Sequence, residues 1–439
     1  MHRCVHDWTL TVLNKDIDSQ KYWYAFDCVA ASLNWDDRDS FGYLSFSNLA
    51  AHAAQLVQQR FHQNDLIYDI AFDRLNKALC IARLLFKQVQ LASAEEIYQR
   101  ALICLEKTLG PDHISTLAAV DNIGEVYYAQ GKLEDAEAMY QRALVGREKA
   151  LGPDHPSTLS TVSNLGRLYQ RQDKLEDAET MYQRALVGRE KALGPDHTYT
   201  LGTFTNLGNL YQRQGKLEDA EAMYQRALVG REKALGPDHT STLGIFTNLG
   251  NLYQRQDKLE DAEVMYQRAL VGHEKVLGRD HTSTLSIVTN LGSLYQRQDK
   301  LEDAEVMYQR ALVGWEKALG PDHTYTLGTF TNLGNLYQRQ GKLEDAEAMY
   351  QRALVGWEKA LGPDHTSTLV TVTNLGRLYQ KQGKLEEAEA MYQRALKGYN
   401  KALGPGHRNT QEAAERLNAL VLSQESSSRN QIRRLFGRK

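Results

Sequence analysis

The amino-acid sequence predicts an all-α fold: an α-solenoid of about eight helical hairpins, each 42 residues long, with a capping helix at the end. The string Leu-Gly-x-x-His recurs every 42 residues without slippage, and each period carries two apolar stripes at helical spacing. A fixed period of this length is typical of solenoids and propellers, and helical stripes favour the solenoid. The string begins at Leu109, Leu151, Leu193, Leu235, Leu277, Leu319, Leu361 and Leu403.

One period, residues 198–239, shows how the hairpin is specified. Apolar residues at three- and four-residue steps predict a first helix, and a second stripe that starts at Leu217 predicts a helix of about 19 residues. Between them, Gly215 suits the left-handed conformation that ends a helix, and the equivalent residue in other copies is Gly or Asp.

Two further features of the same period concern helix contacts and helix starts. Gly208 lies inside the first helix, where glycine is unfavourable, and is therefore expected to allow close approach of the facing helix at Ala220. After the second helix, Asp238 or Thr240 is expected to cap the next hairpin.

The period also sets the predicted segment boundaries. Residues 1–70 do not repeat and are expected to form a helical N-terminal region. The repeat array spans 71–407, followed by a capping helix at 408–422 and a disordered basic tail at 423–439. The predicted copies are 71–113, which is degenerate, then 114–155, 156–197, 198–239, 240–281, 282–323, 324–365 and 366–407.

Composition excludes several classes of partner. The formal net charge of -3 provides no overall attraction to nucleic acid or to an acidic membrane. No apolar run is long enough to span a bilayer, and the four cysteines form no CxxC pair, so we expect neither a disulfide framework nor a zinc site. The expected location is cytoplasmic, with a protein or peptide as the partner and no small-molecule substrate.

The repeat resembles a known family. "NLGNLY" followed by Ala220, Tyr224 and Ala227 matches the spacing of the tetratricopeptide (TPR) repeat. The lengthened unit "NLGNLYQRQGKLEDAEAMYQRALVGREKALGPDH" resembles the 42-residue repeat of kinesin light chains. The resemblance implies a right-handed TPR superhelix that acts as a protein-interaction scaffold, with an extended peptide held in its concave groove.

A column of asparagines, one per repeat, is the main candidate for binding. Each lies inside a first helix, although asparagine is a poor helix former. Amides both donate and accept hydrogen bonds, so a column of them can hold the main chain of an extended segment. In the resembled family the matching asparagine contacts the peptide; the alternative is that it bonds only to a neighbouring helix or to water. The column is Asn122, Asn164, Asn206, Asn248, Asn290, Asn332 and Asn374.

Three variable columns are candidates for selectivity. One, a helical turn beyond the asparagine, reads Glu125, Arg167, Asn209, Asn251, Ser293, Asn335 and Arg377. Another, near the helix start, reads Ala118, Ser160, Gly202, Gly244, Ser286, Gly328 and Val370. In the third, late in the second helix, exposed aromatic residues are expected to form a protein-contact patch at the C-terminal end of the array. The alternative for all three columns is drift at tolerant surface sites. The third column is Arg147, Arg189, Arg231, His273, Trp315, Trp357 and Tyr399.

A basic column closes the first helix. Its side chains are expected either to attract acidic groups of a ligand in the groove or to interact favourably with the C-terminal end of the helix dipole. The column is Arg171, Arg213, Arg255, Arg297, Arg339 and Lys381.

No column predicts catalysis or a cofactor. The recurrent histidines, His113 to His407, are one repeat apart and therefore too distant to share a metal, so a loop or capping role is expected. Glu218 and Asp219 open the second helix, where carboxylates favour the positive end of the helix dipole. We expect no enzyme, no metal and no cofactor.

Two other functions are considered. "MHRCVHDWTLTVLN" resembles the segment that precedes TPR repeats in fungal NLR-like proteins with an NB-ARC module, although this sequence contains no phosphate-binding GxxxxGK[ST] loop. The chain would then be the ligand-sensing part of an immune or incompatibility receptor. A kinesin light chain-type cargo adaptor is the other, but no coiled-coil heptads precede residue 71. The tail motif "RRLFG" resembles a cyclin-docking motif, with a solubilising tail as the alternative.

Overall fold

The computed structural model describes residues 72–436, and side chains only for residue 75 and residues 78–424. This described part contains 17 helices and no strand, so the predicted all-α class is confirmed. The predictions for residues 1–70 lie outside it. The helices are α1 Phe72–Lys87, α2 Leu91–Leu109, α3 Ile114–Gln130, α4 Leu133–Leu151, α5 Pro156–Arg171, α6 Leu175–Leu193, α7 Thr198–Gln214, α8 Leu217–Leu235, α9 Thr240–Arg255, α10 Leu259–Leu277, α11 Thr282–Arg297, α12 Leu301–Leu319, α13 Thr324–Gln340, α14 Leu343–Leu361, α15 Thr366–Gln382, α16 Leu385–Leu403 and α17 Arg408–Phe436.

The chain forms two compact units, the first ending at Gly230 and the second beginning at Arg231, within α8. In each unit the two helices of a hairpin pack together, and the second helix packs against the first helix of the following hairpin. First helices of neighbouring hairpins within a unit also approach each other directly. One side of each unit is therefore a row of first helices, which we call the first-helix face.

Within a hairpin, the close contact is between a glycine and a tyrosine ring. A Cβ atom on Gly208 would lie 2.6 Å from Cε1 of Tyr224, which is too close for two carbon atoms. The side chain that most directly requires this glycine is thus Tyr224, which the sequence analysis did not name. Ala220 is also buried, and close approach of the two helices there remains a prediction. The same relation recurs at Gly334 and Tyr350.

Each first helix from α3 onward begins after a histidine. His239 has extended backbone angles, and its Nδ1 accepts a hydrogen bond of 3.1 Å from the backbone N–H of Ser241. The predicted capping role of the histidine column is thus confirmed, whereas the prediction of Asp238 or Thr240 as the cap is wrong. Asp238 instead pairs with Arg268 and Lys275, at 2.9 and 2.7 Å, and Thr240 is the first helical residue.

First helices end as the sequence predicts. Gly215 follows α7 with φ 77°, and Asp173, in the equivalent position after α5, has φ 63°. Asp is among the few residue types that tolerate this left-handed conformation. The second helices of the array are 19 residues long, as expected.

The C-terminal helix differs from its prediction. Helix α17 runs from Arg408 to Phe436, beyond the predicted end of the capping helix at 422 and into the segment expected to be disordered. No glycine or proline occurs between these two residues, so nothing in the local sequence stops a helix that has already started against α16. The side chains of the "RRLFG" motif lie outside the described residues.

None of the described helices has both the length and the apolar character that a membrane span requires.

Candidate binding crevices on the first-helix face

The candidate site is a set of crevices between neighbouring first helices, each floored by a side chain of the second helix that lies between them. The crevice between α15 and α17 encloses a pocket of about 140 Å³. The columns predicted from sequence meet there, because α15 contributes an asparagine and two variable positions, and α16 contributes the third variable position. The lining residues are Val370, Thr373, Asn374, Arg377, Tyr399, Asn409, Glu412, Ala413 and Arg416.

The asparagine column lies along this face and is mostly without partners. Asn164 donates to Asp121 at 3.4 Å, and Asn290 donates to Asn251 at 3.3 Å. The other members make no side-chain hydrogen bond within residues 78–424; they are Asn122, Asn206, Asn248, Asn332 and Asn374. Their amides are therefore available for a ligand or for water, and their role in peptide binding remains a prediction.

Variable residues one turn further along are oriented by tyrosines of the second helix. The Tyr224 hydroxyl donates to Oδ1 of Asn209 at 2.6 Å, and the equivalent bonds at Asn251 and Asn335 are 2.6 and 2.7 Å. Burial raises the pKa of the equivalent Tyr308 to about 12, so this hydroxyl stays protonated at neutral pH and can donate. With Oδ1 occupied, each asparagine presents its NH₂ group as a donor.

Charge at the same position is used differently in the two units. Arg167 donates to Glu125 at 3.1 Å and to Asn164 at 3.4 Å, and its guanidinium lies 4.8 Å from the centre of the Tyr128 ring. Arg377 is exposed and lines the pocket. Thus Arg167 is neutralised within the fold, and Arg377 faces solvent at a crevice.

The third variable column is buried at every position except Arg231, which is half-buried, so the predicted exposed aromatic patch is wrong. Trp315 is 1% exposed, and its ring stacks on Tyr325 with centroids 4.8 Å apart. Its Nε1–H donates to Thr289 at 3.3 Å. Trp357 and Tyr399 are also buried. The physical reason is that the second helix turns this position toward the next first helix, where it forms the crevice floor.

In the first unit, the same floor position holds arginines. Arg147 donates to Thr161 at 2.6 Å and lies 3.5 Å from the buried carboxylate of Asp121. Arg189 donates to Thr203 at 2.7 Å and to two backbone carbonyls, and burial lowers its pKa to about 10. The crevice floors are therefore cationic in the first unit and largely aromatic in the second.

His273 occupies the floor position between the arginines and the aromatic residues, and it predicts a pH effect. Burial lowers the pKa of its imidazole, whose Nδ1 lies 2.9 Å from the carbonyl oxygen of Ala269. Because the unfolded chain binds this proton more readily, the stabilisation is complete above pH ~6.5 and is lost as pH falls below it. We expect the free energy of unfolding to fall from pH 7 to pH 5 by about 1.4 kcal/mol for each unit of pKa difference.

The measurement compares urea unfolding of the wild-type chain and His273→Phe at several pH values. The variant keeps an aromatic ring but cannot be protonated, so its stability should fall less over this range. Equal pH profiles for the two proteins would refute the assignment to His273.

The basic column contacts the preceding repeat. Arg213 donates to the carbonyl oxygen of Gln170, at the end of the preceding first helix, and pairs with Asp173 at 3.1 Å. Arg297 and Arg339 pair with the equivalent aspartates at 2.8 and 2.9 Å. These contacts satisfy the end of a helix without any ligand. Peptide binding by Arg213, Arg255, Arg297 and Arg339 remains a prediction.

The third variable column, which forms the crevice floors, was predicted to be exposed, although the sequence contains a signal for its burial. Arg231 follows Ala220, Tyr224 and Ala227 at helical spacing, on the stripe that the fold buries. Because the first copies have arginine at this position, the apolar stripe does not visibly extend to it in the sequence. Arg416 was also missed: it lies 42 residues after Asn374, in the asparagine register.

Within residues 78–424, no three His, Cys, Asp or Glu side chains lie close enough together to hold a metal ion. The exposed carboxylates of Glu218 and Asp219 lie in the first turn of α8, as predicted.

Comparison with known proteins identifies the repeat. The family model for the tetratricopeptide repeat matches residues 73–144, 116–191, 158–233, 199–275, 241–313, 282–354 and 325–401. A search of curated proteins finds no match. Three solved structures illustrate what the fold is similar to. The apo quorum sensor NprR from B. thuringiensis has a TM-score of 0.59 and 16% identity, over 87% of this chain and 99% of that chain.

The second, from Pyrococcus horikoshii, is a signal transduction ATPase with numerous domains (STAND) that has a tetratricopeptide repeat sensor. Its TM-score is 0.55 and its identity 14%, over 90% of this chain and 67% of that chain. The third is a kinesin light chain-like protein with nearly identical repeats from Podosopora anserina, with a TM-score of 0.42 and 23% identity, over 47% of this chain and 98% of that chain. The family model covers most of the described helices, and this chain is a member of the tetratricopeptide repeat family.

Proposed function

We propose that the chain is a non-enzymatic scaffold that binds an extended peptide segment of a partner protein on the first-helix face. Tetratricopeptide repeats are generally protein-interaction scaffolds. The observation that carries the peptide-binding proposal is the row of asparagine amides without partners, at crevices where the variable columns also meet. Amides that project toward a bound main chain give affinity without dependence on its sequence.

Selectivity comes from the crevice floors and from the position one turn beyond the asparagine. The first unit offers buried arginines such as Arg189, which suit acidic or polar side chains of a ligand. The second offers aromatic floors such as Trp357, which suit apolar side chains. The two units therefore favour different ligand side chains, while the asparagines of either unit bind the main chain.

The test uses peptides selected from a random display library by the full-length wild-type chain. Two double variants are compared, Asn122→Ala with Asn206→Ala in the first unit, and Asn248→Ala with Asn332→Ala in the second. Two lost hydrogen bonds per variant should weaken binding by about 5- to 100-fold in the unit that holds the peptide. Measured by fluorescence anisotropy, unchanged affinity in both variants would refute the proposal.

These substitutions separate binding from folding. None of the four asparagines makes a side-chain hydrogen bond among the described residues, and alanine is the better helix former, so helical content and stability should be unchanged or slightly higher. Val271→Ala with Val355→Ala, on exposed positions of second helices, is the matched control and should bind as the wild type does.

The second candidate is the ligand-sensing region of an NLR-like receptor of the fungal NB-ARC type. Its support is the segment "MHRCVHDWTLTVLN" and the fold similarity to a STAND protein with a tetratricopeptide repeat sensor. A phosphate-binding loop in the genomic reading frame upstream of Met1 would support this candidate, and an upstream frame closed by stop codons would contradict it. We also propose a cytoplasmic location, which suits the free thiols of Cys80 and Cys104.

A further inference from the structure

The last crevice of the second unit differs from the others in the residues that α17 contributes. Arg416 stands 42 residues after Asn374, so the asparagine column ends in an arginine. Glu412 stands in the register of Val370, where the other copies have small or apolar residues. Both residues line the pocket of about 140 Å³ between α15 and α17. This pocket therefore combines groups that no other crevice offers.

Asn374 is a buried polar group in this pocket without a partner. Its side chain lines the cavity and the residue is 7% exposed, yet its amide makes no hydrogen bond to any described residue. The amide atoms are not sealed from solvent, so water in the pocket can satisfy them when no ligand is bound. The amide is therefore placed to bond to a group that enters the pocket.

Arg377 is a second group without a protein partner at the same pocket, as comparison with Arg167 shows. Arg167 pairs with Glu125, in the equivalent position one repeat earlier. The position one repeat before Arg377 is Asn335, which has no charge and accepts a hydrogen bond from Tyr350. Among the described residues, Arg377 makes no ion pair and no hydrogen bond. Its charge is thus available at the pocket.

The remaining charges favour an anion. Arg416 is held against Glu412 by two contacts, at 2.6 and 3.2 Å, and this pairing leaves Arg377 without a carboxylate of its own. Arg416, and further away Arg408 and Arg377, lower the pKa of Glu412, so its carboxylate remains ionised as the fixed partner of Arg416. Glu412 is thus paired with Arg416, and Arg377 is the lining cation that has no carboxylate partner among the described residues.

We propose that this terminal pocket binds an anionic group, a carboxylate or a phosphate, on a side chain of the bound peptide. The proposal rests on the proposed function for the peptide itself. The Asn374 amide and the Arg377 guanidinium donate to the anion, while Glu412 on the opposite wall stays paired with Arg416. The volume of the pocket suits a single side chain, so the pocket accommodates one residue of the peptide at the end of the second unit.

The test applies small probes to the full-length chain by ligand-observed NMR. Phenyl phosphate and benzoate are the anionic probes, and benzamide is the neutral probe of similar shape. Both anions, or one of them, should bind the wild type at least about tenfold more tightly than benzamide, because charge-assisted hydrogen bonds are the stronger ones. The tighter anion indicates whether a phosphorylated or an acidic side chain is the natural occupant.

Arg377→Gln should lower the affinity for the bound anion at least about tenfold, and Asn374→Ala should lower it to a smaller extent. Arg377 is exposed, so its replacement leaves the packing intact. Arg394→Gln is the matched control and should have no effect, since Arg394 lies on α16, pairs with Glu358 and does not line the pocket. Equal binding of all three probes, absence of anion binding, or equal anion affinity in Arg377→Gln would each overturn the proposal.

Failure of this proposal is distinguishable from failure of the proposed function. The probes need only the pocket, so the variant with Asn248→Ala and Asn332→Ala should bind them as the wild type does. If that variant loses peptide affinity while Arg377→Gln leaves probe binding unchanged, only the anion pocket is refuted. If the probes bind as expected but peptide affinity survives both asparagine variants, only the peptide-binding proposal is refuted.

Discussion

Replacing Trp315 by alanine should destabilise the second unit by about 3–5 kcal/mol, the usual range for removal of a large buried aromatic side chain. Trp315 packs in one cluster with Leu285, Val288 and Ala311, and it stacks on Tyr325 from the next first helix. Its removal leaves a cavity at the interface between two repeats and the loss of the hydrogen bond from its Nε1–H to Thr289. Stacking between neighbours is what stabilises a repeat array, so the loss should spread beyond one hairpin.

The measurement is guanidinium unfolding followed by circular dichroism, with hydrogen exchange to locate the loss, because long repeat arrays can depart from two-state behaviour. Val313→Ala is the matched control: it lies in the same helix two residues earlier and is 67% exposed, so its effect should stay within about 0.5 kcal/mol. If the two variants unfolded alike, the burial of the third variable column would be contradicted.

The second large effect concerns two glycines of α13: Gly334 recurs as glycine in the equivalent position of the other copies from 114 to 407, whereas Gly328 lies in a variable column. A Cβ atom on Gly334 would lie 2.6 Å from Cε1 of Tyr350, a ring that is itself fully buried and cannot easily move. Gly334→Ala should therefore destabilise the unit by about 1–3 kcal/mol, as overpacking does. A Cβ atom on Gly328 would meet no heavy atom within 4 Å. Gly328→Ala should stabilise the unit by up to about 1 kcal/mol through helix propensity.

Both variants add one methyl group to the same helix, so each serves as the control for the other. Thermal and guanidinium unfolding should order them as Gly328→Ala, wild type and Gly334→Ala, from most to least stable. A loss of stability in Gly328→Ala comparable to that in Gly334→Ala would show that both glycines are required by packing. Since no described atom approaches Gly328, the space above it is open for a ligand.

The comparison of Arg231, Trp315 and Trp357 shows why the third variable column was misplaced from sequence. Chemically different residues at one position suggest a tolerant surface, and arginine is rarely buried. In the structure, arginine at this position is satisfied by hydroxyl and carbonyl oxygens of the next first helix, as at Arg189 and Thr203. Whether such acceptors lie opposite a position is a property of the neighbouring repeat and cannot be read from a single helix.

The candidate site also has features that the sequence predicts and features that depend on the tertiary structure. The asparagine column was recognisable because asparagine is unfavourable within a helix and yet recurs every 42 residues. Whether a member has a partner depends on distances between helices. Asn374 has none among the described residues, whereas Asn290 donates to Asn251. The arginine column also became interpretable only when Arg213 was found against the end of the preceding first helix.

The sequence by itself determined the helical class, the 42-residue period, the ends of the helices at residues such as Gly215 and the family to which the repeat belongs. These depend on local backbone preference and on the spacing of apolar residues along a single helix. Only the tertiary structure decided that His239 is the cap, that the Tyr224 ring faces Gly208, and that the variable floor residues are buried in the crevices. The physical reason is that burial and hydrogen-bond satisfaction depend on which side chain the neighbouring helix places opposite a residue.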